Sequence, residues 1–274
     1  NAVLLLFAGG LIAFIWFGPA STPPAKAPKL SQIDTHSVTR VRIERPGRPP
    51  IALRRSGVRW RMEAPFRRPA DAIRVTALLG LASSRVHEAF RALGNDLAAF
   101  GLEPPVARVA FDDHEFLFGE TETLNGWRYI LYGPDVHLIT DAYFHHILAT
   151  PSAFVDPAPL ADITGPISVA VDPSGRGMVA SSAPSSMTQA ADAARDLADA
   201  WIAAKASAVR NLDSTLDWRE GVAVALKGTQ SPIRFSVARN EREVMFARRE
   251  WNLQYHFPRA KGLRMLGIRT AGDS

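Results

Sequence analysis

The groups in this 274-residue chain with the widest chemical reach are its 7 histidines and 27 carboxylates. Four of the histidines, His114, His137, His145 and His146, stand near Asp112, Asp113 and Asp141 in sequence. Imidazoles and carboxylates hold a divalent metal when several of them converge on one point. Here convergence is not expected: His145 and His146 are adjacent, and adjacent side chains on a helix diverge by about 100°. They are read as exposed or partner-facing. Glu120 and Glu122 are a carboxylate pair of the kind that does acid–base work. Just ahead of Asn125-Gly126, however, they read as a solvated hairpin loop. Gly175-Arg176-Gly177 is too short for a dinucleotide loop.

The chain has 0 cysteines, which excludes disulfides, thiolate metal sites and thiol nucleophiles. It has neither a GxxxxGK[ST] phosphate loop nor a GxSxG nucleophile elbow. No catalytic residue, cofactor-binding residue or metal ligand is assigned, and the chain is expected not to be an enzyme.

What the sequence does concentrate is positive charge. The net charge is +5, and arginine is densest between Arg40 and Arg74. Arg40, Arg42, Arg59 and Arg61 alternate with apolar residues and so fall on one face of a sheet, a possible interaction surface for an acidic partner or lipid headgroups. No continuous basic helix or aromatic-interleaved basic pattern is present, so nucleic acid is not an expected partner. A small-molecule ligand is not expected either.

The elements that must position these arginines follow from periodicity. Val41 and Ile43 alternate with Arg40, Arg42 and Glu44; Ile51 and Leu53 mark a second strand; Val58, Trp60 and Met62 alternate with Arg59, Arg61 and Glu63. Pro46-Gly47 and Ser56-Gly57 supply the turns, giving a three-stranded antiparallel meander. Asp71 opens a helix to about Ala82 with Ile73, Ala77, Leu78 and Leu81 on one face. Asn95 caps a short helix that Gly101 ends in the left-handed conformation. A second meander spans residues 106–139, and a helix follows at about 141–148. In the second half, Thr188 to Ala206 reads as a long helix with Ala191, Ala194, Leu197, Ala198, Trp201 and Ile202 inward, among strands at 167–171, 222–226, 233–237, 243–247 and 252–257. VARVAF followed by EFLFG resembles VAVALK followed by IRFSV, each set after a helix, which suggests an internal duplication.

Ahead of these elements, residues 2–17 are apolar or small and uncharged. Leu4, Leu5, Leu6, Phe7, Leu11, Ile12, Phe14, Ile15, Trp16 and Phe17 supply the bulk of a span close to the roughly 20 residues a bilayer requires. The segment is read as a retained membrane anchor rather than a cleaved signal. Gly18 to Ser31 is a Pro/Ala/Ser spacer.

Gly57-Val58-Arg59-Trp60, Pro65, Pro69-Ala70-Asp71 and Leu78-Leu79 form an ordered set of short motifs. Phe100-Gly101-Leu102-Glu103-Pro104-Pro105, Phe118-Gly119 and Arg128-Tyr129 continue it. Together they resemble domain-of-unknown-function family 4340, well over Ile33 to Leu148 and loosely beyond. The resemblance implies a membrane-tethered bacterial protein facing the periplasm, in some relatives beside ABC-type transport components. It carries no activity and no catalytic residue.

The expected architecture is therefore α+β: two related modules of antiparallel meanders with one long helix each, plus an N-terminal transmembrane helix. Its divisions are an anchor at 1–17, a spacer at 18–31, a first module at 32–150, a connector at 151–165 and a second module at 166–274. The expected role is a non-catalytic accessory or scaffold subunit of a bacterial inner-membrane complex, with the soluble part in the periplasm. Its partners are the integral membrane complex and the bilayer. The alternative is a periplasmic module that binds a ligand, lipid or glycan for an ABC-type transporter.

Overall fold

Alternation of apolar and charged residues puts Val41 and Ile43 on one side of β1 (Arg40–Arg45) and Trp60 and Met62 on the same side of β3 (Arg59–Ala64), with β2 (Arg48–Ser56) between them. All four of those apolar side chains are buried, and Trp60 is only 6% exposed. These strands belong to a computed structural model that describes residues 28–171, 187–226 and 231–268.

The first sheet has nine strands. It adds β4 (Arg68–Pro69), β5 (Val86–Arg91), β6 (Ala107–Phe111), β7 (His114–Thr121), β8 (Trp127–Tyr132) and β9 (Asp135–Thr140). Their order is β4-β3-β2-β1-β6-β7-β8-β9-β5. Its inner face is covered by α1 (Ala72–Leu79) and α2 (Phe144–Leu148). The Asp71 carboxylate accepts from the Ile73 and Arg74 amides and caps α1, which explains where the helix starts.

The second sheet has six strands: β10 (Ile167–Val171), β11 (Ala208–Asn211), β12 (Arg219–Leu226), β13 (Ile233–Arg239), β14 (Glu243–Arg248) and β15 (Leu253–Pro258). Their order is β10-β12-β13-β14-β15-β11. The helices α3 (Met187–Ile202) and α4 (Arg259–Arg264) pack on it. Trp201 anchors α3: it is fully buried, its rings lie against Phe235 and Phe246, and its indole N–H donates to the Met265 carbonyl at 2.8 Å.

The sheets meet edge to edge. The Asp71 amide donates to the Phe154 carbonyl and the Asp156 amide to the Pro69 carbonyl, so residues 154–156 pair with the β4 edge. One residue on, the Pro157 carbonyl accepts from Ala206, just ahead of β11. The connector is thus a strap hydrogen-bonded to both sheets, and one apolar core runs through both.

The α+β expectation is corrected by this architecture, which is mostly β. Two antiparallel sheets carry the fold, and the first half has no long helix, α1 being 8 residues. Two of the expected first-half helices are shorter than their apolar patterns suggest: the one after Asp71 ends at Leu79 and tightens into a 3-10 turn (Gly80–Ser83), and the one expected at 141–148 starts only at Phe144. The expected transmembrane helix at 1–17 lies outside the described residues. Among the described residues no helix is long and apolar enough to cross a membrane.

Smaller corrections have local causes. Val58 is 88% exposed because it sits in the β2–β3 turn, ahead of the strand proper. Ile73 is 76% exposed; the buried face of α1 is Val75, Leu78 and Leu79, a stripe rotated from the expected one. Asp96, not Asn95, caps the 3-10 turn Leu97–Phe100, which Gly101 does end at φ +66°. On α3, Ala191, Ala194 and Ile202 are exposed, while Leu197 and Ala198 are half-buried. The small-residue loop at 175–186 lies outside the described residues.

Candidate interaction surface

Among the described residues no element packs over the outer face of β1–β3, whose arginines are exposed. Cross-strand pairing sets Arg40 opposite Arg54 and Arg54 opposite Arg61, a row of guanidinium groups running across three strands. Arg42 and Arg59 lie on the same face, one on each flank of the row, and all five side chains are exposed. Side chains directly opposite in an antiparallel pair stand about 5 Å apart, so like charges there destabilise the sheet unless they are neutralised.

Most of them are. Arg42 Nε lies 2.5 Å from Glu44, Arg54 Nε lies 2.7 Å from Glu63, and Arg40 reaches Asp112 at 3.6 Å and Asp113 at 3.4 Å. Asp112 is set for this. Partial burial alone raises a carboxyl pKa, but the Thr39 amide and hydroxyl and the Arg40 amide and guanidinium outweigh it and hold Asp112 below its ordinary value. Arg59 and Arg61 differ. Among the described residues neither makes a hydrogen bond or an ion pair. The charge of Arg59 acts instead on Asp156 in the connector. Burial lifts that carboxyl above its ordinary pKa, Asp71 adds to the lift, and Lys205 and Arg59 oppose it. The structure thus brings Arg40, Arg42, Arg59 and Arg61 onto one face, and the two on β3 stand outside its ion pairs.

Sequence reading missed Arg54, the centre of the row: the Pro46-Gly47 turn alone sets Leu53 opposite Arg40, and it is the β-bulge between Ile43 and Arg45 that shifts Arg54 into that place. It also missed two buried arginines. Arg128 forks onto Asp141 at 2.6 and 2.8 Å, donates to the Gly119 carbonyl and lies 3.6 Å from the Phe144 ring centre. Arg248 forks onto Asp162 at 2.9 and 3.1 Å and reaches Glu250 at 2.7 Å. The Trp251 ring lies 3.4 Å from Arg248 and 4.4 Å from Arg68 of the first sheet, so two guanidinium groups share one indole. These pairs have fork geometry and aromatic stacking, which suits arginine as a structural fastener.

The histidines and glutamates are dispersed. His114 Nδ1 lies 3.1 Å from the Tyr132 hydroxyl. His137 is half-buried, and burial holds its pKa below the ordinary imidazole value. Burial does the same for His146, helped by the positive fields of His145 and Arg74. The His145 and His146 rings do not diverge as expected; their centres are 3.8 Å apart on the short helix α2. Among the described residues no three histidines or carboxylates are grouped to hold a metal. Glu122 accepts from the Leu124 and Asn125 amides and closes the β7–β8 loop. The expected anchor residues lie outside the described residues.

The surface belongs to a mostly β protein of two edge-joined antiparallel sheets. By sequence the chain is a member of the family described as a domain of unknown function (DUF4340), which it matches over residues 60–232. The match begins at Trp60 and runs through the connector into β13's approach, further into the second half than the short motifs reach. No curated protein and no solved structure matches the chain.

Proposed function

We propose that this chain is a non-catalytic accessory subunit of a bacterial inner-membrane complex, acting in the periplasm through the outer face of β1–β3. The observation that carries the reading is the exposed guanidinium row with Arg59 and Arg61 left out of its ion pairs. Exposed arginines outside ion pairs favour an acidic partner by steering and orienting its approach. The net charge of +5 favours the same partner. The uncharged apolar run at 2–17 and the Pro-rich spacer that follows support a membrane location.

Pro28 to Ser31 join the fold beside the start of β5, through bonds such as Val86 N–H to the Pro28 carbonyl. β3 is seven strand steps away in the sheet order, roughly 30 Å at the usual strand spacing. That displacement favours the side of a neighbouring membrane protein over the headgroups around the tether as the surface that meets the arginines.

The test is recovery of the full-length tagged chain from membranes in mild detergent, with its co-purifying proteins quantified across a salt series. Arg59→Glu with Arg61→Glu is expected to lower stoichiometric recovery several-fold while leaving the melting temperature unchanged. Wild-type recovery is expected to fall as salt rises. Equal recovery for the folded variant at every salt concentration sinks the reading.

A further inference from the structure

The two sheets share a strand order, and that makes one edge conspicuous. β1 pairs with β6 as β10 pairs with β12, each being the strand that precedes the helix and joins the first strand of the following meander. The other edge of β1 is covered by β2, which sets Leu53 opposite Val41 and Ile51 opposite Ile43. Beside β10 no described strand takes the place of β2. The consequence is visible in burial. Val41 and Ile43 are 1% and 0% exposed. Ile167, Val169 and Val171, on the corresponding inner face of β10, are only half-buried.

A second observation lies next to that edge. A groove of about 720 Å³ opens between β10, α3 and the end of α4, lined on its apolar side by Val169, Ala193, Ala194, Leu197, Ala200 and Ile268. In the first half the matching position beside β1 is filled by Ile51 and Leu53, both buried. The strand itself, Ile-Ser-Val-Ala-Val, has no charge and no proline, the two devices that usually protect a sheet edge.

We infer that the β10 edge binds the β10 of a second copy of this chain. The strand is complementary to itself when run antiparallel about Val169. Ile167 then meets Val171 of the copy, Ser168 meets Ala170, and Val169 meets Val169. β-branched residues face β-branched residues on the inner side, and small residues face small ones on the outer side. The copy's Ile167, Val169 and Val171 take the places that Ile51 and Leu53 take beside β1 and close the groove. The contact is isologous, so it closes at a dimer and does not propagate into a filament. Two six-stranded sheets become one of twelve strands, with both α3 helices on the same side.

The test uses the full chain, whose 0 cysteines make any introduced thiol the only one. Val169→Cys is expected to give a disulfide-linked dimer as the main species on mild oxidation, since opposed residues of an antiparallel pair fall within disulfide reach. Arg234→Cys, on an exposed position of β13 away from that edge, is expected to give no disulfide-linked dimer. A five-residue ladder and one groove are at the small end of interfaces, so sedimentation of the wild type is run at ~100 µM, about tenfold above a dissociation constant on the order of 10 µM. Val169→Lys is expected to sediment as a monomer with an unchanged melting temperature. A monomeric wild type together with no cross-link at Val169→Cys overturns the inference. So does a Val169→Cys thiol that resists both cross-linking and alkylation, which assigns the edge to the chain's own residues. A dimer that survives Val169→Lys overturns it as well.

Discussion

The nine-stranded and six-stranded sheets run the same course with different fillings. From β1 through β6, β7, β8 and β9 to β5, the first sheet follows the order that the second follows from β10 through β12, β13, β14 and β15 to β11. The difference lies in additions and in polarity. β2, β3 and β4 extend the first sheet past β1 and add the exposed Arg48, Arg54, Arg59 and Arg61 to it. The last meander strands diverge too. The second and fourth residues of β9 are Val136 and Leu138, buried beneath cross-strand neighbours Phe90 and Tyr129, between whose rings Phe100 sits. The same places in β15 hold Gln254 and His256, equally buried but polar. His256 Nδ1 is 3.0 Å from Glu243, its Nε2 is 2.9 Å from the Gln254 amide, and Gln254 Oε1 accepts from the Asp213 amide. One course thus tolerates an apolar seal or a satisfied polar network at the same depth, because the backbone path depends on pairing and buried polar groups cost little once bonded.

The comparison can be broken most forcefully at the cores. Trp201→Ala empties the fully buried centre of the second half and is expected to cost about 3–5 kcal/mol. Trp60→Ala, at 6% exposure in the first half, is expected to cost a similar amount. Because the connector strap and a shared core join the sheets, each variant is expected to lower one common unfolding transition in calorimetry. Two separate transitions, each sensitive to one tryptophan, would show that the halves unfold independently.

The next effect concerns the fasteners. Arg248→Ala leaves Asp162 without its fork and Trp251 without its stacked cation. The expected loss is about 2–4 kcal/mol, tempered because the Asp162 side chain keeps 28% exposure. Denaturant titration measures it, and a loss below about 0.5 kcal/mol would place the pair with ordinary surface bridges. Gly119→Ala probes a feature special to the first half. A Cβ there collides with the Phe100 carbonyl oxygen, the close approach that lays Phe100 over the sheet, so the expected cost is about 1–3 kcal/mol.

Acid sensitivity is a smaller effect and belongs to the first half. His137 and His146 have depressed pKa values in the folded chain, chiefly through burial. The unfolded chain therefore takes up protons first as the pH falls. The stability these residues contribute is complete above about pH 6.5 and declines from there as the pH drops toward their folded values. Melting curves at pH 7.5 and 5.5 are expected to differ less for His137→Leu with His146→Leu than for the wild type. An unchanged difference assigns the acid sensitivity to other groups.

Much of this architecture is legible in the sequence, and what is not has a physical reason. Period-two alternation marks β1 and β3, and Asp71 and Gly101 mark a helix start and a turn end, because each of those signals is local. Helix lengths were less legible: the helix after Asp71 ends at Leu79 and the one expected from Asp141 begins only at Phe144, because boundaries depend on packing as well as local pattern. Of the five arginines on the outer face, Arg40, Arg42, Arg59 and Arg61 were legible on alternating positions; Arg54 needed the bulged β1–β2 register. The Arg248–Asp162 fork joins residues 86 apart, a spacing no local pattern encodes. The covering of β1 by β2 and the lack of a described counterpart beside β10 emerge only from pairing.

The central claim is that this chain works through the arginines added to the first sheet, and one measurement tests it most directly. Once the co-purifying membrane partner is isolated, its affinity is measured for the wild type, for Arg59→Glu with Arg61→Glu, and for Arg234→Glu on the second sheet, each at low and moderate salt. The account predicts that reversal on β3 weakens binding at least tenfold at low salt, a loss of about 1.4 kcal/mol or more, and flattens the salt dependence, while Arg234→Glu changes binding by less than about twofold, roughly 0.4 kcal/mol. Equal effects from the two sheets, or a folded β3 variant that binds as the wild type does, would contradict it.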